Sequence, residues 1–155
     1  MYRVTPDVQA LVQAAISGRG PTGALITSWE RGETTLITCE PIIAEFEDVL
    51  RRARIMRKYA HITHETIVAR TAALRASAVV VTLVDVPRVI PEDPDDDIVI
   101  ACALAGNAEY IVSRDKHLLR LGSHQGIPVI STEIFAHMLR GHVSEPLELV
   151  YGRRR

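Results

Sequence analysis

Aromatic side chains are scarce in this chain of 155 residues: one Trp, four Tyr and two Phe make up 5% of it. So small a set excludes a platform on which exposed bases stack. Cysteine is scarcer still. Cys39 and Cys102 lie far apart, with neither CxxC nor zinc-ligand spacing, and Cys102 falls in an apolar stretch where a buried thiol is expected. That usage fits a reducing cytoplasm. Nowhere do 18 apolar residues run uninterrupted, and the opening MYRVTPDVQALVQAAIS lacks a basic region, a long apolar core and a cleavage site. Secretion and membrane spanning are therefore not expected. Charge of one sign is also missing: 18 basic against 19 acidic residues leave a net charge of −1, so a nucleic-acid surface would have to be local. Two suggestive motifs fail on inspection. Gly18-Arg19-Gly20-Pro21-Thr22-Gly23 has no lysine and hydroxyl of a phosphate loop, and His64-Glu65 is followed by Val68 where a zinc protease needs histidine.

What is present is a chain with 47% hydrophobic residues, enough for one domain, expected over 1–140, with a loosely held tail over 141–155 ending Arg153-Arg154-Arg155. Strands are expected at Tyr2 to Thr5, Thr34 to Thr38, Glu109 to Ser113 and Ile127 to Ile130. A continuous apolar run from Ala78 to Val84 reads as a further strand buried on both faces. Helical spacing is expected from Asp7 to near Gly18, from Thr22 to Arg31, from Pro41 onward, from Thr63 to about Ser77, and from Lys116 to Leu121. In the helix opened by Pro41, the residues Arg51, Arg52, Arg54, Arg57 and Lys58 crowd the C-terminal end. Strands and helices alternate with short links, which predicts right-handed crossovers and a central parallel β-sheet covered by helices on both sides, a three-layer α/β/α fold.

The most informative segment is Asp93-Pro94-Asp95-Asp96-Asp97, followed directly by the apolar Ile98 to Ala105. Like charges this close repel by about 1 kcal/mol per pair in water and more where solvent is excluded. A helix N-terminus relieves part of that, and a divalent cation relieves more. Open parallel sheets bind ligands beyond the C-terminal ends of their strands. Asp7 follows the first strand, Asp115 follows the Glu109 to Ser113 strand, and Glu45 stands one turn into the helix after the second strand. Each alone reads as a cap or a solvated acid. Together at one edge they favour a hard cation, Mg²⁺ or Mn²⁺, over zinc, and a chemistry of phosphoryl transfer that needs no protein nucleophile.

These residues resemble the PIN-domain nucleases, especially the branch of toxins from bacterial toxin-antitoxin pairs. The likeness spans about Met1 to Arg140 and rests on four stretches in order: Val4 to Val12, Glu40 to Arg52, Asp93 to Ile98 and Ala108 to Leu119. It implies a PIN-like fold and an endoribonuclease leaving 5′-phosphate and 3′-hydroxyl ends. It also implies a homodimer and a small antitoxin partner. By the resemblance, Asp7, Glu45, Asp96 and Asp115 form an acidic quartet around Mg²⁺ or Mn²⁺, with Ser113 supporting Asp115 or the attacking water. Asp96 is preferred within its run by its place five residues before Ala101, with Asp93, Asp95 and Asp97 as alternates.

The chain departs from the family where Asp-Thr-Asn usually ends the first strand and Asp7-Val8-Gln9 stands instead. Loss of those braces around the first aspartate is expected to weaken metal affinity by about 10- to 100-fold. Pro6 is unusual in a central strand because it lacks a ladder donor. The alternative reading is accordingly a degraded PIN-like module that binds RNA or protein without cutting. For an RNA backbone the candidate contacts are Arg51, Arg52, Arg54 and Lys58. A phosphoacceptor receiver domain would need a pair of acids after the first strand, where Asp7 stands alone.

Overall fold

The structure, a computed structural model, describes residues 1–141. In chain order the elements are β1 (Tyr2–Pro6), α1 (Val8–Ser17), α2 (Gly20–Glu30), β2 (Thr34–Thr38), α3 (Glu40–Leu50), α4 (Ala53–Lys58), α5 (His64–Ser77) and β3 (Val79–Val80). There follow α6 (Pro94–Ala105), β4 (Tyr110–Ser113), α7 (Lys116–Leu121), β5 (Ser123–His124), β6 (Ile127–Ser131) and α8 (Thr132–Leu139). The six strands form one sheet in the order β3-β2-β1-β4-β6-β5, parallel except for the β5–β6 pair.

Local sequence accounts for most boundaries. Asp7 caps α1 through its side chain, and Gly18 ends that helix in the left-handed conformation at φ 55°. Thr63 opens α5 with a reciprocal capping box to Thr66. Neighbouring strand residues face opposite sides of the sheet, so Ile111 enters the larger core while Val112 enters a second cluster with Val4, Leu25, Ile130, Phe135 and Met138. That second cluster lies under α2 and α8, which pack on each other. An apolar core on each face makes the fold three-layered, as expected. Cys39 and Cys102 are both buried as free thiols. They meet in the fold, and their hydrogen bond together with burial pushes the Cys102 thiol well up.

The structure departs from expectation in four places. The apolar run from Ala78 to Val84 is not a doubly buried strand: only Val79–Val80 pair, at the sheet edge against β2, and Val84 is 93% exposed. Val81 makes one more bond, its N–H donating to the carbonyl of Thr38, before the chain leaves the sheet. The helix opened by Pro41 does not carry the basic cluster as a single element. Arg52 is extended at φ −61° and ψ 133°, and its carbonyl accepts from Ile55 and Met56 to start α4. A tight β5–β6 hairpin was not expected; Gln125 and Gly126 both take positive φ, as a two-residue turn requires, and glutamine is a weak signal for it. Nor was α8, which Ser131 caps by accepting from Ile134 N–H.

Pro6 costs the sheet little. Asp7 N–H donates to Val112 O at 3.0 Å, so alternation turns the donorless nitrogen of Pro6 toward β2, and β1–β2 pairing runs only from Tyr2 to Val4. No helix among the described residues is long and apolar enough to cross a membrane. The tail expected over 141–155 lies, from His142 on, outside the described residues.

Candidate metal centre

The strand order fixes where a ligand fits. From β1 the chain moves outward through β2 to β3, whereas from β4 it moves the other way to β6. The crevice beyond the C-terminal ends of β1 and β4 is the switch point of the sheet. Asp7 follows the end of β1 and Ser113 ends β4, so both stand at that crevice.

Asp7 is 2% exposed and fully engaged. Its Oδ1 accepts from Ala10 N–H at 2.7 Å, and its Oδ2 accepts from the Ser113 hydroxyl and from the Arg114 and Asp115 N–H groups at 3.1 and 3.3 Å. Burial raises its pKa, and these hydrogen bonds oppose the rise. Ser113 therefore supports Asp7 through its hydroxyl, in addition to the support of Asp115 or of a water that the resemblance implies. It also bonds Asp115, accepting from its N–H at 2.8 Å and lying 3.5 Å from its carbonyl oxygen.

Asp115 caps α7, its Oδ1 accepting from His117 N–H at 2.7 Å and from Leu118 N–H at 3.3 Å. Its Oδ2 accepts from Gln9 Nε2 at 2.9 Å. The altered Gln9 thus still braces an aspartate at this edge, although not the first one: the added methylene carries its amide to Asp115.

Asp96 lies in the first turn of α6 and is 6% exposed, yet its Oδ2 has no hydrogen-bond partner. Burial and the neighbouring charges of Asp115, Asp93 and Asp7 push its pKa up to about 8. In the ion-free protein at neutral pH this carboxyl therefore holds a proton. Asp93, the cap of α6, accepts from Asp95 N–H at 3.0 Å. Asp97 turns elsewhere. Its Oδ1 accepts from Val89 and Ile90 N–H at 2.9 and 2.8 Å, pinning the loop before α6.

A groove of about 510 Å³ runs over this edge, lined by Asp7, Glu45, Asp93, Asp95 and Asp96 and by Arg52, Arg54 and Arg114. Glu45 reaches it from α3 and stands 4.0 Å from Arg52. Of the basic candidates, Arg52 and Arg54 line the groove. Arg51 is instead bonded to Glu47 and faces His64, and Lys58 lies over the Tyr59 ring. Arg114 joins them, unforeseen from sequence.

Four side chains, Asp93, Asp96, Asp115 and His117, bring one ligand atom each to within 4.8 Å of one another. The quartet expected from the resemblance is thus split. Asp96 and Asp115 converge here, Asp7 stands beside them with both oxygens engaged, and Glu45 lines the same groove from α3. His117 joins the carboxylates, unforeseen from sequence: its Nδ1 lies 3.7 Å from Asp115 Oδ1 and 4.0 Å from Asp96 Oδ2. Its position two residues after a capping aspartate was the available signal. Oxygen donors in excess, one of them buried and unpartnered, suit a divalent cation.

Fold and site together define an α/β protein with an acidic centre at the switch point of its sheet. A family model, described as PIN domain, matches residues 3–117, a span that takes in every residue of that centre. The chain belongs to the PIN domain family. PIN domains are typically nucleases and commonly use divalent metals. No curated protein matches the chain.

Proposed function

We propose that this protein is a divalent-metal-dependent endoribonuclease, with Asp7, Glu45, Asp96 and Asp115 as its acidic residues, Ser113 as the support of Asp7, and Mg²⁺ or Mn²⁺ as its cofactor. The observation that carries the reading is the orphaned Oδ2 of Asp96, a buried carboxyl among carboxylates at the switch point of the sheet. In its ionised form such a group is costly unless something positive occupies the space beside it.

A divalent cation bound there supplies positive charge against the oxygens of a phosphodiester and acidity to a water. The chain does the rest. Asp96 gives up its proton when the ion enters, Asp115 is oriented by Gln9 and by its own cap, and Asp7 is locked by Ser113. Arg52, Arg54 and Arg114 on the same groove offer a backbone phosphate a cationic rim, which keeps a polyanion beside an otherwise repelling acidic floor. The Gln9 contact favours an active centre over a degraded binding module, since the residue that departs from the family pattern remains bonded to an aspartate of the site.

The resemblance to toxin-antitoxin nucleases supports a cytoplasmic homodimer restrained by a small antitoxin protein. The test is cleavage of RNA by purified protein in Mn²⁺, lost with EDTA and in Asp96→Asn. Retained RNA affinity without cleavage in Mn²⁺ would instead establish the binding module.

A further inference from the structure

We propose that His117 is a nitrogen ligand of the metal centre and makes the site select a transition-metal ion, Mn²⁺ or a softer divalent ion, over Mg²⁺. This deepens the nuclease reading and rests on it. Three observations converge. The Nδ1 of His117 is buried and without a hydrogen-bond partner, as is Oδ2 of Asp96, 4.0 Å away, on a side chain itself more than nine-tenths buried. Neither that separation nor the 3.7 Å to Asp115 Oδ1 is a hydrogen bond. Two donors about 2.1 Å from one octahedral ion stand about 3 Å apart when adjacent and about 4.2 Å apart when opposite. The four ligand atoms of Asp93, Asp96, Asp115 and His117, all within 4.8 Å of one another, need close only slightly to reach that spacing.

The ring is held where it is by the backbone. Asp115 Oδ1 accepts from His117 N–H at 2.7 Å, so the residue two positions on is fixed over the cap and its ring falls against Asp96. Nδ1 stands at ion-pair distance from both carboxylates but beyond hydrogen-bond reach of either, a spacing that leaves room for an ion between them. Imidazole nitrogen raises affinity for Mn²⁺, Co²⁺, Ni²⁺ and Zn²⁺, whereas Mg²⁺ favours oxygen and retains its waters. A purely carboxylate centre would discriminate less strongly.

The test uses the full chain stripped with EDTA and titrated calorimetrically with MnCl₂, CoCl₂ and MgCl₂, beside His117→Ala, His117→Gln and Asp96→Asn. Expected is a wild-type preference for Mn²⁺ and Co²⁺ over Mg²⁺ that falls about 10-fold or more in both His117 variants, with Mg²⁺ affinity little changed. Pulsed electron paramagnetic resonance on the Mn²⁺-loaded wild type is expected to show nitrogen coupling, absent in His117→Gln. An unchanged preference in the His117 variants, or no nitrogen coupling in the wild type, overturns the assignment of His117 and leaves the acidic nuclease centre standing. Unaltered binding of all three ions by Asp96→Asn overturns both.

Discussion

The hydroxyl of Ser113, the last residue of β4, donates to Oδ2 of Asp7, the first residue after β1, and so ties the two central strands together at the edge where the acidic centre forms. The same oxygen of Asp7 receives two backbone N–H groups from the turn that carries Asp115. Removing the hydroxyl in Ser113→Ala leaves a buried carboxylate short of one donor. The expected cost is about 1–3 kcal/mol of folding stability, read by urea denaturation, with about a 10-fold or greater loss of divalent-ion affinity. Wild-type values for both would show that the contact positions nothing.

Gln9 supplies the second brace. Its amide reaches Asp115 Oδ2 at 2.9 Å across the same crevice. Gln9→Asn, one methylene shorter, and Gln9→Ala are both expected to weaken Mn²⁺ binding by about 10-fold. Equal affinity in Gln9→Asn would mean that the length of this side chain is unimportant.

The pH dependence of the ion-free protein follows from Asp96. Unfolded, this carboxyl loses its proton near the ordinary carboxylate value of 3.8, whereas folded it keeps the proton up to about 8. Between those values the folded state holds one proton more than the unfolded state, so this group makes stability fall as pH rises from about 4 to 8 and adds no further change above. Asp96→Asn should remove that slope and melt higher than wild type at pH 8. Ion binding displaces the proton, so Mn²⁺ affinity should rise with pH through the same window, measurable by calorimetry in buffers of differing ionisation enthalpy.

Asp97 is a structural counterpart to Asp96. It is 5% exposed and holds two loop N–H groups through one oxygen. Asp97→Ala is expected to cost about 2–4 kcal/mol by leaving both donors unsatisfied, while Asp97→Asn, which keeps an acceptor oxygen, should cost less. Urea denaturation of the two variants checks the order.

The sequence carried the fold where local chemistry and global placement agree. Asp7 and Gly18 bound α1, the β-branched run Thr34–Thr38 is β2, and strand-helix alternation placed the acids at one edge. It misled where tertiary position overrode pattern. The run after Ala78 has the composition of a buried strand, but it lies at the sheet edge beside β2 and peels away after Val80. The β5–β6 hairpin was hidden because Gln125 adopts a positive φ that glutamine rarely signals. At the site, Glu45 and Asp96 entered the quartet through the family resemblance, whereas Asp7 and Asp115 were legible by their place after strands. The contacts that orient them were not, because Gln9 to Asp115 and Ser113 to Asp7 each span 106 positions in sequence. His117 was not legible for a related reason: it is held at Asp96 by its bond to the cap formed by Asp115.

The most direct test of the acidic centre is incubation of the purified full chain with a mixed pool of structured and unstructured RNA in Mn²⁺, beside EDTA and Asp96→Asn controls. Expected is cleavage by the wild type in Mn²⁺ alone, abolished in both controls, with Asp96→Asn still folded by circular dichroism. Cleavage by Asp96→Asn at the wild-type rate would contradict the assignment of that carboxyl as the heart of the site.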